Sequence, residues 1–395
     1  MGFAALVLSA GVLASCTANH DARLEHPATR PAPSPANYAY ATSHELVVMR
    51  GDETVARVRR LFDEADPSFN KVVWSNSGRY VALLSDATLR HQASSTEVLI
   101  SVDVATGKAR RVPCPGCTDL TPVRANAILV EGSMGSAARS RRYQEIDLSS
   151  PRAPTTVGAN NAFLPWFLTS TADSVITAEG SFAGSVYQQH LVVTKPDGTF
   201  MADLGEFPSN EYMEAAASSG SGDRETRVAV GFRPDAGECM AEFPVLVVVL
   251  SNGHARGVAT DMSAAEPPGH ASGVPGGLEV NDLAWGADGQ LHATIASWTC
   301  DESKPSEDAK MTVAHHSASW RLDGSKWVSE GSEHVTAARD LEPNTKIVLD
   351  IPDCIGHVAS PDPVVYCNTG RLSRVHDGTR TQITDHAILI STPDR

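Results

Sequence analysis

The stretch Trp74-Ser-Asn-Ser-Gly-Arg-Tyr-Val-Ala82 is the most informative part of this chain for its fold. It lies between two short segments with strand-like composition, 71–74 and 80–84, so its polar centre predicts a tight turn between two strands. A weaker copy, Trp285-Gly-Ala-Asp-Gly-Gln290, separates the strand-like segments 283–285 and 292–297. Two copies of one strand-turn-strand unit indicate a chain built from β-repeats.

The remainder of the chain has the same period-two patterning, with almost nothing that resembles a long amphipathic helix. Apolar and β-branched residues alternate with polar ones in short runs that are separated by turn residues. The predicted strands are 46–49, 71–74, 80–84, 97–104, 127–130, 174–178, 190–194, 227–232, 245–250, 283–285, 292–297, 346–351 and 364–367. The sequence therefore predicts an all-β protein.

Tight turns recur at intervals of 43 to 71 residues, which suits propeller blades of about 40 to 50 residues with insertions. Asp-Gly and Asn-Gly favour two-residue hairpins because both central positions take positive φ. The turns are Gly51-Asp52, Thr106-Gly107-Lys108, Ser149-Ser150-Pro151, Asp197-Gly198, Asn252-Gly253, Asp323-Gly324 and Asp377-Gly378. Seven turns predict seven blades, with six or eight as alternatives. The longest interval contains two inserted segments, 266–277 and 301–310.

The first stretch resembles the repeat of TolB-type β-propellers, in which a Trp-Ser-x-Asp-Gly-Arg turn joins the first two strands of a blade. Ser77 stands where that family has aspartate, and Asp103-Val-Ala-Thr-Gly-Lys108 resembles the family's outer hairpin. The resemblance implies blades of four antiparallel strands in one propeller domain, 43–395. It implies an architecture and no particular activity.

A propeller ring is usually closed by a strand that one terminus adds to the first or last blade. The first repeat, 45–60, is too short for four strands, whereas residues 387–390 near the other end form an apolar run, Ala-Ile-Leu-Ile. We expect the two ends of the domain to meet in one sheet.

The beginning of the chain has the pattern of an exported protein. An apolar run of about 11 residues, too short to span a membrane, ends in Leu13-Ala14-Ser15-Cys16. These four residues resemble the lipobox of bacterial lipoproteins, which implies a signal peptide over 1–15, lipid on Cys16, and an extracytoplasmic, membrane-anchored location in the cell envelope. The alternative is a chance cysteine in a leader. Residues 16–42 are rich in proline and alanine and predict an extended tether.

Seven cysteines leave six when Cys16 is set aside, and an even number in an exported protein predicts disulfides. Proximity along the chain favours three pairs among the 15 possible connectivities. They are Cys114 with Cys117, Cys239 with Cys300, and Cys354 with Cys367. The Cys-Pro-Gly-Cys spacing also occurs in redox proteins, but Pro-Gly is a turn dipeptide and no helical pattern follows it, so we interpret the pair as structural.

The formal net charge of −15 argues against nucleic acid as a partner. Two short basic clusters occur in strand-like stretches, and we interpret them as solvated strand faces. They are Arg57, Arg59 and Arg60, and Arg139, Arg141 and Arg142.

No nucleophile elbow, zinc-protease motif, phosphate loop or EF-hand is present, so we assign no catalytic residue and expect no metal or cofactor. His315 and His316 should point to opposite faces of a strand. The acidic segment 301–310 is expected to be a solvated loop. The tryptophans Trp166, Trp298, Trp320 and Trp327 are expected in blade cores.

Two function classes follow. We expect a lipid-anchored, monomeric, TolB-like propeller that binds a protein, peptide or other ligand of the bacterial envelope as a scaffold and is not an enzyme. The alternative is an envelope hydrolase or lyase with a site at the channel, which would need carboxylates and histidines converging there. The inserted loops 266–277 and 301–312 are the candidate partner surfaces.

Overall fold

The computed structural model describes one compact unit within Ala36–Arg395. The leader, Cys16 and the tether as far as residue 35 lie outside the described residues. The described residues are 36–60, 71–86, 97–133, 141–150, 152–160, 163–171, 174–183, 186–207, 213–218, 226–232, 245–251, 254–267, 269, 272–273, 275–286, 288–300, 311–333, 335–351 and 369–393.

Within these residues the chain forms 28 β-strands. They are β1 (Asn37–Ala41), β2 (Glu45–Arg50), β3 (Glu53–Arg59), β4 (Val72–Trp74), β5 (Tyr80–Asp86), β6 (Glu97–Asp103), β7 (Lys108–Pro113), β8 (Cys117–Val123), β9 (Ala127–Ser133), β10 (Arg141–Asp147), β11 (Thr155–Asn160), β12 (Phe163–Ser170), β13 (Val175–Ala183), β14 (Val186–Thr194), β15 (Phe200–Phe207), β16 (Met213–Ser218), β17 (Thr226–Phe232), β18 (Val245–Ser251), β19 (His254–Ala259), β20 (Gly276–Trp285), β21 (Leu291–Cys300), β22 (Met311–Asp323), β23 (Lys326–Glu333), β24 (Ala337–Glu342), β25 (Thr345–Asp350), β26 (Gly370–His376), β27 (Thr379–Ala387) and β28 (Leu389–Ser391).

The strands form seven sheets of four antiparallel strands, which confirms the predicted seven-bladed β-propeller. Blades 2 to 7 each take four consecutive strands, from β4–β7 for blade 2 to β24–β27 for blade 7. Every one of the seven sequence turns lies between the third and fourth strands of a blade. The predicted strand at 364–367 lies outside the described residues.

Blade 1 closes the ring with strands from both ends of the domain, in the order β28-β1-β2-β3. In the pair formed by β1 and β28, Ala41 lies opposite Leu389 and Tyr40 lies opposite Ile390. The predicted meeting of the two ends is therefore confirmed. The predicted boundary at residue 43 is wrong, because β1 lies inside the segment assigned to the tether. Its alternating Tyr-Ala pattern buries Tyr38 and Tyr40, so these residues belong to the core.

Apolar clusters between neighbouring blades form the core. The cluster between blades 2 and 3 contains Leu84, Leu120 and Ile128, all at most 1% exposed. The cluster between blades 5 and 6 contains Trp298 and Trp327. Burial of one such aliphatic side chain contributes about 1.5–3 kcal/mol, so each blade depends on its neighbours for stability.

The outer hairpin of one blade also packs against the blade before it. The hairpin glycine of blade 2, Gly107, lies so close to blade 1 that an added Cβ would be 2.6 Å from the Val55 carbonyl oxygen. Across the ring closure, Arg374 of blade 7 forms an ion pair with Asp52 in the outer hairpin of blade 1. Close approach to blade 1 therefore restricts position 107 to glycine, in addition to the positive φ of that residue.

The two ends of the blades differ in the length of their connections. At one end, here called the turn end, short segments join the first strand to the second and the third to the fourth, the longest being 148–154 and 219–225. At the other, the connection end, the second strand is joined to the third and the chain passes to the next blade. The connections at this end include 87–96, 233–244, 301–310 and 351–369.

No helix among the described residues has the length and apolar character that crossing a membrane would require.

Candidate functional site

Most of the cysteines assigned a role from the sequence lie outside the described part of the chain. Cys16, Cys239, Cys354 and Cys367 lie outside the described residues, and Cys300 ends β21 with its side chain outside the description. The predicted lipidation and two of the three predicted disulfides therefore stay predictions.

Cys114 and Cys117 form a disulfide at the short connection between blades 2 and 3, with Cα atoms 5.5 Å apart. Both residues are buried, at 1% and 2% exposure. The Gly116 N–H donates to Oε2 of Glu97 over 2.7 Å, which anchors the turn to β6. Buried sulfur atoms are poor partners for thiol exchange, so the geometry favours a structural role.

Polar contacts between innermost strands form a partial ring, here called the inner collar: Lys71, Asp119, Phe167, Asp282 and Arg339. On one side, Nζ of Lys71 lies 3.2 Å from Oδ1 of Asp119 and 2.7 Å from the Phe167 carbonyl oxygen. The Phe167 N–H donates to the other oxygen of Asp119 over 2.8 Å. One lysine and one aspartate thus connect blades 2, 3 and 4.

On the other side of the ring, Arg339 of blade 7 forms a bidentate ion pair with Asp282 of blade 6, with Nη2 2.6 Å from Oδ1. Their side chains are only 18% and 14% exposed. Lys71 precedes Trp74 by three residues, as Asp282 precedes Trp285, so the two copies of the tryptophan turn place opposite charges at equivalent positions.

The described charges of the collar are neutralised within the protein. Each cation is within ion-pair distance of a carboxylate, and Asp119 uses both oxygens. Such pairs orient neighbouring strands and leave little net charge to activate a substrate. The collar therefore has the properties of an inter-blade clamp.

A second charged cluster, here called the His292 cluster, lies on the side of blade 6 that faces blade 7. Nδ1 of His292, on β21, is 3.2 Å from Oε2 of Glu330 on β23. Nε2 is 3.5 Å from Oδ1 of Asp288 in the turn-end loop. Nε of Arg321, on β22, lies 3.8 Å from Oε1 of Glu330. The cluster spans three strands and the loop that precedes them.

The surroundings shift both partners of the His292–Glu330 pair. Burial disfavours the charged imidazole, but the hydrogen bond and charge of Glu330, with the charges of Asp340 and Asp288, outweigh it and raise the pKa of His292. The hydrogen bond from His292 lowers the pKa of Glu330 against the effect of burial, with help from Lys346 and Arg321. The geometry is that of an imidazolium–carboxylate ion pair and not of a free general base.

Of the four tryptophans expected in blade cores, two are fully buried and one is partly buried. Trp298 and Trp327 are 1% and 2% exposed. Nε1 of Trp327 donates to Oγ1 of Thr260 over 3.0 Å. Trp320 packs against the same cluster, and the side chain of Trp166 lies outside the description.

No group of three or more histidine, cysteine or carboxylate side chains that could hold a metal ion occurs in the described part of the chain. His315 and His316 lie on β22, but their side chains are not among the described parts of the structure. The acidic segment 301–310 also lies outside the described residues.

Neither charged group is predicted from the sequence. The interpretation of Arg60 as part of a solvated strand face is wrong, because Arg60 is 2% exposed and its Nε donates to the Thr42 carbonyl oxygen over 2.7 Å. Part of the collar could have been predicted from sequence, because a charged residue stands three positions before the tryptophan in both tryptophan turns. No sequence pattern predicts the His292 cluster, because His292 and Glu330 are separated by 38 positions and meet only through strand pairing.

No protein-family model and no curated protein matches this chain. Solved structures do. The periplasmic gluconolactonase of Pseudomonas aeruginosa is 11% identical, with 90% of this chain and 98% of that one covered and a TM-score of 0.50. A prolyl endopeptidase is 12% identical, with 91% of this chain covered and a TM-score of 0.47. This chain spans 49% of its length.

The β-propeller domain of the trilobed protease from Pyrococcus furiosus is 8% identical, with 80% of this chain and 95% of that one covered and a TM-score of 0.35. At such identities a structural likeness concerns the fold alone. This chain has the fold of a seven-bladed β-propeller, with structural neighbours among peptidase and gluconolactonase propellers.

Proposed function

We propose that this protein is a lipid-anchored, extracytoplasmic propeller that binds a protein or peptide partner of the bacterial envelope through its connection end, in the manner of a TolB-like scaffold. One observation carries the proposal: both inserted segments of the sequence, 266–277 and 301–312, leave blade 6 at the connection end. Long loops on a rigid scaffold are where propellers place their binding residues.

The described part of the first insertion supports this use. Ala265, directly before the insertion, and Pro267 within it are buried, and Ala265 belongs to the core cluster of blades 5 and 6. Gly269, Ser272 and Gly273 beyond them are exposed. The insertion is therefore fixed to the blade at its base and open to solvent farther out, as a docking loop requires.

The charged groups favour binding over catalysis. A hydrolase or lyase would need carboxylates and histidines converging at one end of the channel. The described collar charges are paired, and the His292 cluster lies on the second, third and fourth strands of blade 6 and its turn-end loop. The proposal therefore gives the channel strands a structural role.

The partner test compares three forms of the full-length protein expressed in its own envelope. Shortening 268–274 together with 301–310 should abolish recovery of the co-purifying envelope protein. Shortening 219–225, a connection of blade 5 at the turn end, is the matched control and should leave recovery unchanged. Unchanged recovery after the first change would overturn the connection-end proposal.

The proposed extracytoplasmic, lipid-anchored location rests on the residues Leu13-Ala14-Ser15-Cys16, and a separate experiment tests it. Intact-mass spectrometry of membrane-extracted protein should show cleavage before Cys16, added acyl chains, and six cysteines that become alkylatable only after reduction. A mass that retains residues 1–15 with free thiols would contradict both the lipid anchor and the remaining disulfides.

A further inference from the structure

The imidazole of His292 lies between two carboxylates. Nδ1 is at hydrogen-bond distance from Oε2 of Glu330, 3.2 Å, whereas Nε2 lies 3.5 Å from Oδ1 of Asp288, within ion-pair distance and without a hydrogen bond to it. A carboxylate accepts hydrogen bonds and donates none, while a neutral imidazole has a single N–H. Only the imidazolium carries the positive charge that both carboxylates attract, so this arrangement favours the protonated ring.

The chain makes room for this arrangement at Gly286. A Cβ atom there would lie 2.6 Å from Oδ1 of Asp288 and 2.8 Å from Nε2 of His292. The equivalent residue of blade 2 is Ser75, which directly follows the tryptophan of that turn. The glycine of blade 6 thus permits the close approach of imidazole and carboxylate.

We propose that His292 is a pH-operated latch: its imidazolium holds the outer strand β23 through the hydrogen bond and charge of Glu330, and holds the turn-end loop of blade 6 through the charge of Asp288. Loss of the proton removes the positive charge that attracts both carboxylates. The outer strand then opens more often. This latch is independent of the binding function proposed above.

Charges from every neighbouring element act on the latch. Within blade 6 these are Glu330, Asp288 and Arg321. From blade 7, Asp340 on β24 favours the charged imidazole and Lys346 on β25 favours the charged form of Glu330. Three carboxylates therefore surround the imidazole, whereas the two cations act on Glu330.

The direction of the pH effect follows from linkage. The folded protein holds the His292 proton more tightly than the unfolded chain does, because the pKa is raised. The latch therefore contributes fully below about pH 6.5, the ordinary value for histidine, and its contribution is lost as pH rises through the raised value.

Hydrogen exchange at several pH values tests the proposal on the full-length protein. After correction for intrinsic exchange, amides of β23 and of the loop 286–290 should exchange severalfold faster once pH has risen through the His292 titration. Strand β7, the outer strand of blade 2, is the internal control and should show no such step. Absence of a step in β23, or an equal step in β7, would overturn the latch.

Two variants make the test specific. His292→Gln identifies the imidazole resonance in an NMR titration by its loss, and should abolish the pH step in β23. Asp288→Asn changes an exposed residue, with a side chain 52% exposed, and keeps the fold testable if the first variant is unstable. It should lower the pKa of His292 and reduce the step. A wild-type pKa at or below 6.5, or an unchanged step in Asp288→Asn, contradicts the proposal.

Discussion

Blades 2 and 6 contain the two copies of the tryptophan turn, yet they pack against their neighbouring blades through different kinds of contact. In blade 2 the second strand is apolar on both sides: Val81 and Leu83 contact blade 1, while Ala82 and Leu84 contact blade 3. In blade 6 the second strand turns Ala293 and Ile295 toward blade 5. The alternate positions on that strand, which face blade 7, are occupied by the polar residues His292 and Thr294.

The boundary between blades 6 and 7 accordingly contains polar contacts. Oγ1 of Thr294, a residue only 2% exposed, donates to the Thr336 carbonyl oxygen over 2.6 Å. Arg339 and Asp282 join the innermost strands at the same boundary. A repeat architecture thus keeps its backbone plan while one interface exchanges apolar packing for hydrogen bonds and charges.

The two blades also differ in the length of their strands. Blade 2 begins with the three-residue strand β4, whereas β20, β21 and β22 of blade 6 have 10, 10 and 13 residues. Because the tryptophan turns fix one end of each blade, the extra length lies at the connection end. The turn end is the shared part of the architecture, and the connection end is where blade 6 has diverged.

The tryptophans should give the largest difference between the blades. Trp74 is 4% exposed within the cluster of blades 1 and 2, so Trp74→Ala should cost about 3–5 kcal/mol of unfolding free energy. Trp285 is only partly buried, and Trp285→Ala should cost clearly less. Urea denaturation followed by far-UV circular dichroism measures both. Equal losses would mean that the two copies play the same part.

Removal of a collar cation should have the next largest effect. Arg339→Met leaves the Asp282 carboxylate poorly solvated and should cost about 2–3 kcal/mol. Lys71→Met, the comparison in blade 2, should cost less because Lys71 is more exposed, at 31% against 18%. The double variant Arg339→Met with Asp282→Leu should recover more than half of the loss. No recovery would show that the pair itself is not the cause.

Exchange of the residue after the tryptophan should have a smaller effect. Ser75→Gly removes the Oγ that accepts the Tyr80 N–H over 3.1 Å, which should cost about 1 kcal/mol. Gly286→Ser introduces a Cβ against Asp288 and His292 and should cost about 1–2 kcal/mol. Only Gly286→Ser should also lower the pKa of His292 in an NMR titration. A lowered pKa of His292 in Ser75→Gly would show that the effect does not depend on contact at position 286.

The smallest effect should come from the ion pair of Arg79 and Asp103 in blade 2, 3.0 Å apart. The Arg79 hydrogen bond lowers the pKa of Asp103 against burial, with the Ala105 N–H assisting. Its contribution is present above the ordinary pKa of about 3.9 and lost as pH falls through the lowered value. Asp103→Asn should shift the thermal midpoint at pH 7 by at most about two degrees and flatten its decline in acid. An unchanged acid limb would contradict this.

The fold was readable from sequence because turn chemistry is local. Positive φ at Gly51, Gly107, Gly198, Gly324 and Gly378 is encoded by the residues themselves. The strand β1 is not predicted because it follows a proline-rich stretch and because one of its two partners, β28, lies some 350 positions away. Arg60 was misread for a similar reason: the carbonyl group that receives its hydrogen bond belongs to Thr42, on another strand–strand connection.

Site-specific photo-crosslinking in the native envelope tests directly whether the connection end is the binding face. A photoreactive residue at Ser272, exposed at the connection end, is compared with one at Asp377, exposed at the turn end. We expect a crosslink to one defined envelope protein from position 272 and none to it from position 377. Crosslinks from position 377 alone would place the partner at the turn end and contradict the proposed binding face.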